Sequence, residues 1–167
     1  MALTTHPTFV RYIDRTRAYY AAQGYPTPYA WARHQDAPFA PLARPLAAAR
    51  IAVVTTASPW RDPGVAQAPG RGAKAVWSGP TAPPPERLHT DDLAWDKENT
   101  HTRDVDTYLP LRPLAAFAAA GRIGGVTARF HGVPTDYSQR RTLEEDAPQV
   151  LARCREDGAD AVLLIPL

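Results

Sequence analysis

Short apolar runs that alternate with amphipathic segments limit most strongly what this chain can fold into. Residues 51–56 and 161–165 are continuous and largely aliphatic, which is typical of strands buried on both faces of a parallel sheet. Between them the pattern predicts a helix at residues 110–120, a strand at 126–130 and a second helix that ends at Gly158. This order predicts an α/β fold with a Rossmann-like, mostly parallel sheet, flanking helices and right-handed crossovers.

Start and stop signals support the two helices. Pro110 suits a first turn, and Gly121 suits the residue that follows a last turn. In the second helix, Thr142 and Glu145 have the spacing of a capping box. The apolar stripe of that helix includes Leu151 and Cys154, so we expect both to be buried and the thiol to have a raised pKa that makes it unreactive.

Prolines divide the chain into two regions. Most of the eighteen lie between residues 26 and 85, where they favour long, extended connections. Before them, apolar side chains at helical spacing predict an amphipathic helix at residues 7–23. We therefore assign residues 1–50 to an N-terminal helix and proline-rich arm, and residues 51–167 to the α/β domain.

Composition excludes several classes of protein. The formal net charge is +2, and the nineteen lysines and arginines are spread along the chain, so no footprint for nucleic acid is present. No apolar run is long enough to cross a membrane, and the N-terminus lacks the pattern of a signal peptide. With a single cysteine, the chain is expected to be cytoplasmic.

Polar side chains follow the predicted strands at their carboxyl ends, which is where open α/β sheets bind ligands. The acidic segment 91–106 adds a histidine with a carboxylate three residues later, which allows the carboxylate to orient the imidazole as a base or ligand. The residues that bound the predicted substrate pocket are Thr55, Thr56, Asp96, His101, Asp104 and His131.

Two groups of residues have different predicted roles. The catalytic candidates are His101, Asp104 and His131, and we expect the two histidines to face one cleft. The substrate-binding candidates are Thr55, Thr56, Asp96 and Arg140. Arg140 is included because a planar guanidinium pairs with a substrate carboxylate through two hydrogen bonds.

Each assignment has a structural alternative that the sequence leaves open. The acidic segment is equally a solvated loop that caps the helix at Pro110, and a strand-end histidine is often a structural residue. The threonines are equally turn formers beside Pro59, and for Arg140 a solvated surface position is the default. No recognised metal-ligand spacing is present, and the glycines at 121–125 follow a helix instead of a strand, so neither a metal nor a nucleotide is assigned.

The order of several motifs in the C-terminal part resembles a known family. They are the run 104–124, then Phe130-His131-Gly132, then 144–148, and finally 157–166. Together they are similar to the selenoprotein B (component B) subunits of glycine, sarcosine, betaine and D-proline reductases, and the resemblance covers residues 51–167. Segment 91–106 departs from the family, since several relatives have more histidines there.

The resemblance implies an oxidoreductase component that acts on a small amino-acid-like substrate. In that family the last strand leads into a selenocysteine-x-x-cysteine or Cys-x-x-Cys motif, in which a selenolate or thiolate attacks substrate and is regenerated by a neighbouring thiol. A thiol electron donor or reductase partner subunits are implied as partners, and homo-oligomerisation is left open. A non-catalytic ligand-binding or assembly module of the same fold is the alternative.

The resemblance also implies that the redox residue lies beyond Leu167, so the chain is truncated before it and is inactive alone. We expect Leu167 to mark a selenocysteine codon, against the alternative of a domain that ends on a strand. Strand 161–165 is expected to be central, because burial of each large aliphatic side chain contributes about 1.5–3 kcal/mol.

Overall fold

The computed structural model describes residues 10–28, 30, 32–59, 75–90, 98–133, 135 and 138–167. By its internal contacts the chain separates into two compact units, Met1–Phe39 and Ala40–Leu167. The division lies earlier than the boundary predicted after residue 50. Over the described part of the chain, no helix has the length and hydrophobicity needed to span a bilayer.

The described part of the first unit includes the helix α1 (Tyr12–Ala22), within the range predicted from the sequence. The predicted first turn at residues 7–9 lies outside the described residues. No residue of α1 is buried, so the helix does not present the buried apolar face that an amphipathic pattern implies. Tyr20 stacks edge to face with Tyr19 and Tyr25 at ring distances of 5.5 and 5.6 Å, and Gly24 takes the positive φ of 83° that ends the helix.

The second unit is an α/β structure around a mixed five-stranded sheet. Its strands are β1 (Arg50–Thr55), β2 (Trp77–Pro80), β3 (Gly125–Val126), β4 (Arg129–Gly132) and β5 (Ala161–Ile165). Its helices are α2 (Leu111–Ala119), α3 (Gln139–Arg141) and α4 (Ala147–Glu156), with a π-helical segment at Thr142–Asp146 and 3-10 turns at Leu46–Ala48 and Val105–Thr107.

Strand β1 is the centre of the sheet. It pairs in parallel with β5 through residues 51–55, and in parallel with β3 and β4 near its two ends. Because a strand has only two edges, β3 and β4 follow one another along one edge of β1, and β5 takes the other. Strand β2 pairs antiparallel with β4. The prediction of a mostly parallel sheet is therefore correct for every strand except β2.

The main core lies between the sheet and α2. Ile51 and Val53 of β1 pack there with Leu111 and Leu114 of α2, and Phe130 of β4 is 1% exposed. Side chains alternate along a strand, so the residues next to these in sequence point to the opposite face. Cys154 of α4 is buried, as predicted, and burial raises the pKa of its thiol.

Three sequence predictions are wrong in detail. Strand 126–130 is interrupted, because the Thr127 hydroxyl donates to the carbonyl of Arg129 at 2.7 Å and separates β3 from β4. The second helical run is capped by Ser138 and not by Thr142, since the Ser138 hydroxyl accepts the Arg141 N–H at 3.2 Å, one turn earlier. Leu151, placed on the buried stripe of that helix, is 49% exposed.

Strand β5 also differs from its prediction. Within the described residues it pairs with β1 alone, so it is an edge strand and not a central one. Val162, Leu163 and Leu164 are 41%, 40% and 67% exposed. An apolar run indicates that a strand can be buried. The position of the strand in the sheet depends instead on the direction of each crossover connection.

Asp160 fixes the beginning of β5. Its carboxylate accepts the backbone N–H of Arg50 at 2.8 Å, and its own N–H donates to the carbonyl of Arg50 at 2.9 Å. The guanidinium of Arg44 lies 3.1 Å from the other carboxylate oxygen. These contacts tie the start of β5 to the start of β1.

Candidate functional site

The carboxyl ends of β1 and β5 lie side by side, and Thr56 joins them. This half-buried threonine accepts the backbone N–H of Leu167 on its Oγ1 at 2.8 Å. Thr55, directly before it, is fully buried, and its Oγ1 accepts the N–H of Ala57 at 3.3 Å. The hydroxyl of Thr55 thus shapes the turn after β1, while Thr56 lies at the surface of the sheet edge.

Hydrogen bonds connect this edge to the segment that contains His101. Ser58 and His89 exchange both backbone hydrogen bonds at 2.9 Å, so the chain after β1 runs beside residues 88–90. The next residue, Thr90, pairs with the hydroxyl of Thr102 at 2.6 Å. His101 precedes Thr102 and is exposed. The chain after Thr56 is therefore linked to the His101 segment through two successive contacts, the Ser58–His89 bridge and the Thr90–Thr102 hydrogen bond.

Asp104 has a structural partner of its own. Its carboxylate accepts the N–H of Asp106 at 3.0 Å and caps the 3-10 turn at Val105–Thr107. The sequence left open a cap on the helix at Pro110, and Asp104 caps this 3-10 turn instead. Asp96 lies outside the described residues.

His131 lies inside β4 instead of after it, and it is fully buried. Its neighbour Phe130 belongs to the core against α2, so His131 points to the opposite face, where α4 ends. Ser78 of β2 lies 2.8 Å from its Nδ1, and Asp157, just after α4, lies 3.3 Å from its Nε2. Arg153 of α4 donates to the Ser78 hydroxyl at 2.9 Å.

The donors and acceptors around His131 indicate its protonation state. Arg153 can only donate, so the hydroxyl proton of Ser78 is available for Nδ1, and this arrangement favours the tautomer whose ring proton is on Nε2, facing Asp157. That second contact is electrostatic and not a well-aligned hydrogen bond. Burial lowers the pKa of His131. The negative charge of Asp157 acts against this shift, and the positive charges of Arg129 and Arg153 add to it. Burial at this position therefore favours the neutral imidazole.

Arg129 completes this cluster. Its guanidinium lies 2.8 and 2.9 Å from Asp157 Oδ1 and 3.2 Å from Glu156 Oε2, and these carboxylates raise its pKa. The negative charge of Asp157 is therefore already paired with Arg129, in addition to its contact with His131. The cluster of Ser78, Arg129, His131, Arg153 and Asp157, here called the His131 cluster, fastens the end of α4 to β2 and β4.

The two histidines predicted to share a cleft have different surroundings. His131 is enclosed in the His131 cluster, whereas His101 is exposed in a loop. A fully buried side chain does not line an open cleft, so the structure does not bring them together as two walls of one site. Arg140 pairs with Glu144 one turn along the helix at 2.9 Å, and both side chains are largely exposed.

Sequence reasoning did not select the partners of His131. A signal was present, because Arg129 and His131 are two residues apart on a strand and therefore share a face. Two basic groups on the face of a buried strand require an acidic partner, which Asp157 provides. Among residues in the described ranges, no group of three or more histidine, cysteine or acidic side chains is arranged to hold a metal ion.

Comparison with known proteins finds no family model, no curated protein and no solved structure that matches this chain.

Proposed function

We propose that this chain is the substrate-binding part of a selenol- or thiol-dependent reductase that acts on a small amino-acid-like substrate. The observation that carries the proposal is the contact between Thr56 and Leu167, which brings the carboxyl ends of β1 and β5 together. The resemblance of residues 51–167 to component B of the glycine and D-proline reductases supplies the reaction class. The redox selenocysteine or cysteine comes from outside residues 1–167.

The proposal also includes a Rossmann-like position for the ligand, outside the carboxyl ends of the strands. After β1 the chain passes through β2, α2 and β3 to β4, which pairs with one edge of β1, and after β4 it crosses to β5 on the other edge. In open α/β sheets the crevice between strands whose connections leave in opposite directions is the usual ligand site. We place the ligand of this chain outside the carboxyl ends of β1 and β5, beside Thr56, because the chain changes from one edge of β1 to the other between β4 and β5.

The groups at this edge suit an amino-acid-like substrate. Such a substrate carries a carboxylate, which accepts hydrogen bonds from hydroxyls and backbone N–H groups. Thr56 offers the half-buried hydroxyl, and the His101 segment approaches through the Thr90–Thr102 pair. A selenolate or thiolate placed after β5 would stand next to Thr56, in reach of a substrate bound there.

Ligand titrations of the chain by NMR or calorimetry test the proposal, with glycine, sarcosine, betaine and D-proline as probes. One of them should bind, and Thr56→Val should weaken that binding roughly 2- to 12-fold, the effect of one hydrogen bond of about 0.5–1.5 kcal/mol. Thr142→Val is the matched control, because Thr142 is exposed in the π-helical segment.

Failure of all four probes to bind, or equal effects of the two threonine variants, would contradict a substrate site at Thr56. Binding that persists without turnover, when a form carrying the redox motif is supplied with a thiol donor, would instead indicate a non-catalytic ligand-binding module.

A further inference from the structure

The outer edge of β5 presents backbone groups that point out of the sheet. In β1, the carbonyls of Ile51 and Thr55 accept hydrogen bonds from residues beside β3 and β4, so alternate residues of β1, starting from Ile51, point away from β5. Aligned residues of two parallel strands point the same way, and Ile51 is aligned with Ala161. Alternate residues of β5, starting from Ala161, therefore point toward β1, whereas Val162 and Leu164 point away from it.

This outer edge lacks the features that usually protect a strand. Among the described residues, β5 pairs with β1 alone, so the N–H and C=O groups of Val162 and Leu164 are left as a template for another strand. Edges are commonly protected by charged side chains, whereas residues 161–165 carry no charge. Pro166, which has no N–H, limits the template to Val162 and Leu164.

The side chains of β5 add apolar surface on both faces of the same edge. Ala161 and Ile165 pack against the core beside α2, and Leu163 lies on their face because side chains alternate along a strand. Val162 and Leu164 lie on the opposite face. The three central side chains are all substantially exposed. A strand placed along β5 would therefore cover aliphatic surface on both faces while it completes the backbone hydrogen bonds.

We propose that two copies of this chain associate through antiparallel pairing of their β5 strands. The outward backbone groups are symmetric about Leu163, so a twofold axis at Leu163 places Val162 of each copy opposite Leu164 of the other. Residues opposed in this way exchange both of their backbone hydrogen bonds. Leu163 then faces its own counterpart in a pair without backbone hydrogen bonds, in which the side chains approach most closely.

The charges around β5 favour a second copy as the partner. Residues 161–165 have no charge that would select an acidic or a basic strand, and the antiparallel arrangement opposes no like charges. Asp160 would lie opposite Pro166 of the other copy, and its carboxylate is already paired with Arg44 at 3.1 Å. One strand edge covers less than the roughly 1,200 Å² of a stable interface, so we expect a dimer that forms only at high concentration.

Sedimentation velocity of the full chain between about 10 µM and about 1 mM tests this pairing. We expect a shift from monomer to dimer as the concentration rises. Leu164→Pro removes an outward N–H and leaves the hydrogen bonds between β5 and β1 in place, so it should weaken association about tenfold or more. Leu164→Lys should do the same, since an edge lysine opposes pairing.

Leu143→Lys is the matched control, because Leu143 lies in the π-helical segment and is 59% exposed, close to the 67% of Leu164. It makes the same change of charge and should leave association unchanged. Circular dichroism checks that each variant folds. Equal losses of association in Leu143→Lys and Leu164→Lys would show general charge repulsion and overturn the proposal.

Amide hydrogen exchange locates the contact. The N–H groups of Val162 and Leu164 should exchange quickly in dilute solution and more slowly at high concentration, whereas the N–H of Leu163 is held by β1 in both. A chain that stays monomeric at about 1 mM would overturn the pairing. Assembly beyond the dimer, or association without slower exchange at Val162 and Leu164, would overturn it as well.

Discussion

The two flanks of β1 are built in opposite ways. On one flank, β4 is covered on both faces, by the α2 core through Phe130 and by the His131 cluster. On the other flank, β5 is paired along its whole length with β1, yet its three central side chains are substantially exposed. The difference shows that a strand can be fully paired in the sheet while its side chains stay exposed. The β4 flank carries stability, and the β5 flank carries the edge at which Thr56 meets Leu167.

A comparison of Phe130→Ala with Leu164→Ala gives the largest expected contrast between the flanks. Phe130 is 1% exposed and packs edge to face on Trp77 at 5.3 Å, so its truncation should cost about 3–5 kcal/mol of unfolding free energy. Leu164 is 67% exposed, and its truncation should cost about 0.5 kcal/mol or less. Chemical denaturation measures both. A similar loss of unfolding free energy in the two variants would show that the side chains of β5 are buried, which contradicts this comparison.

A second contrast concerns how far α4 covers the sheet. Cys154→Ser should cost about 1–3 kcal/mol, because it places a hydroxyl in a buried apolar position. Leu151→Ser, on the same helix, replaces a side chain that is half exposed and should cost less. The folded protein should react slowly with a thiol reagent, since burial raises the pKa of Cys154. Labelling at the rate of the unfolded chain would place Cys154 outside the core.

The smallest effect is a dependence of stability on pH from the β4 flank. Burial lowers the pKa of His131 in the folded state below its ordinary value of 6.5. The unfolded chain therefore binds a proton first as pH falls, and stability should decline below about pH 6.5, by up to about 1.4 kcal/mol for each unit by which the pKa is lowered. His131→Gln should flatten this part of the profile. An unchanged slope in that variant would assign the dependence to other groups.

Local patterns explain what the sequence could predict. β1, β5 and α2 each have a continuous signal in their own residues, and all three were predicted within one or two positions. Strand order could not be predicted this way, because β1 meets β3, β4 and β5 through residues some seventy or more positions away. The interruption at Thr127 depends on one side-chain hydrogen bond, which no periodicity reports.

The site divides along the same line. That Thr56 lies at a strand end follows from the length of the apolar run before it, whereas its contact with Leu167 follows from the sheet. His131 was placed after its strand because the apolar run ends at Phe130. The strand continues through a buried histidine instead, since Ser78 hydrogen-bonds its Nδ1 and the carboxylate of Asp157 lies beside its Nε2. Hydropathy cannot identify a polar residue whose partners come from two other elements.

The hydrogen bonds between Asp160 and Arg50 fix the register of β5 relative to β1. A uniformly aliphatic edge strand has little in its own side chains to specify register, and a slip of one residue would exchange its two faces and move its end by about 3.3 Å. Asp160 bonds to both the N–H and the carbonyl of Arg50, so the pairing of β5 with β1 starts at a fixed residue. Seven residues later the backbone N–H of Leu167 reaches the hydroxyl of Thr56. The alignment of atoms at the candidate site is thus set at the far end of the sheet.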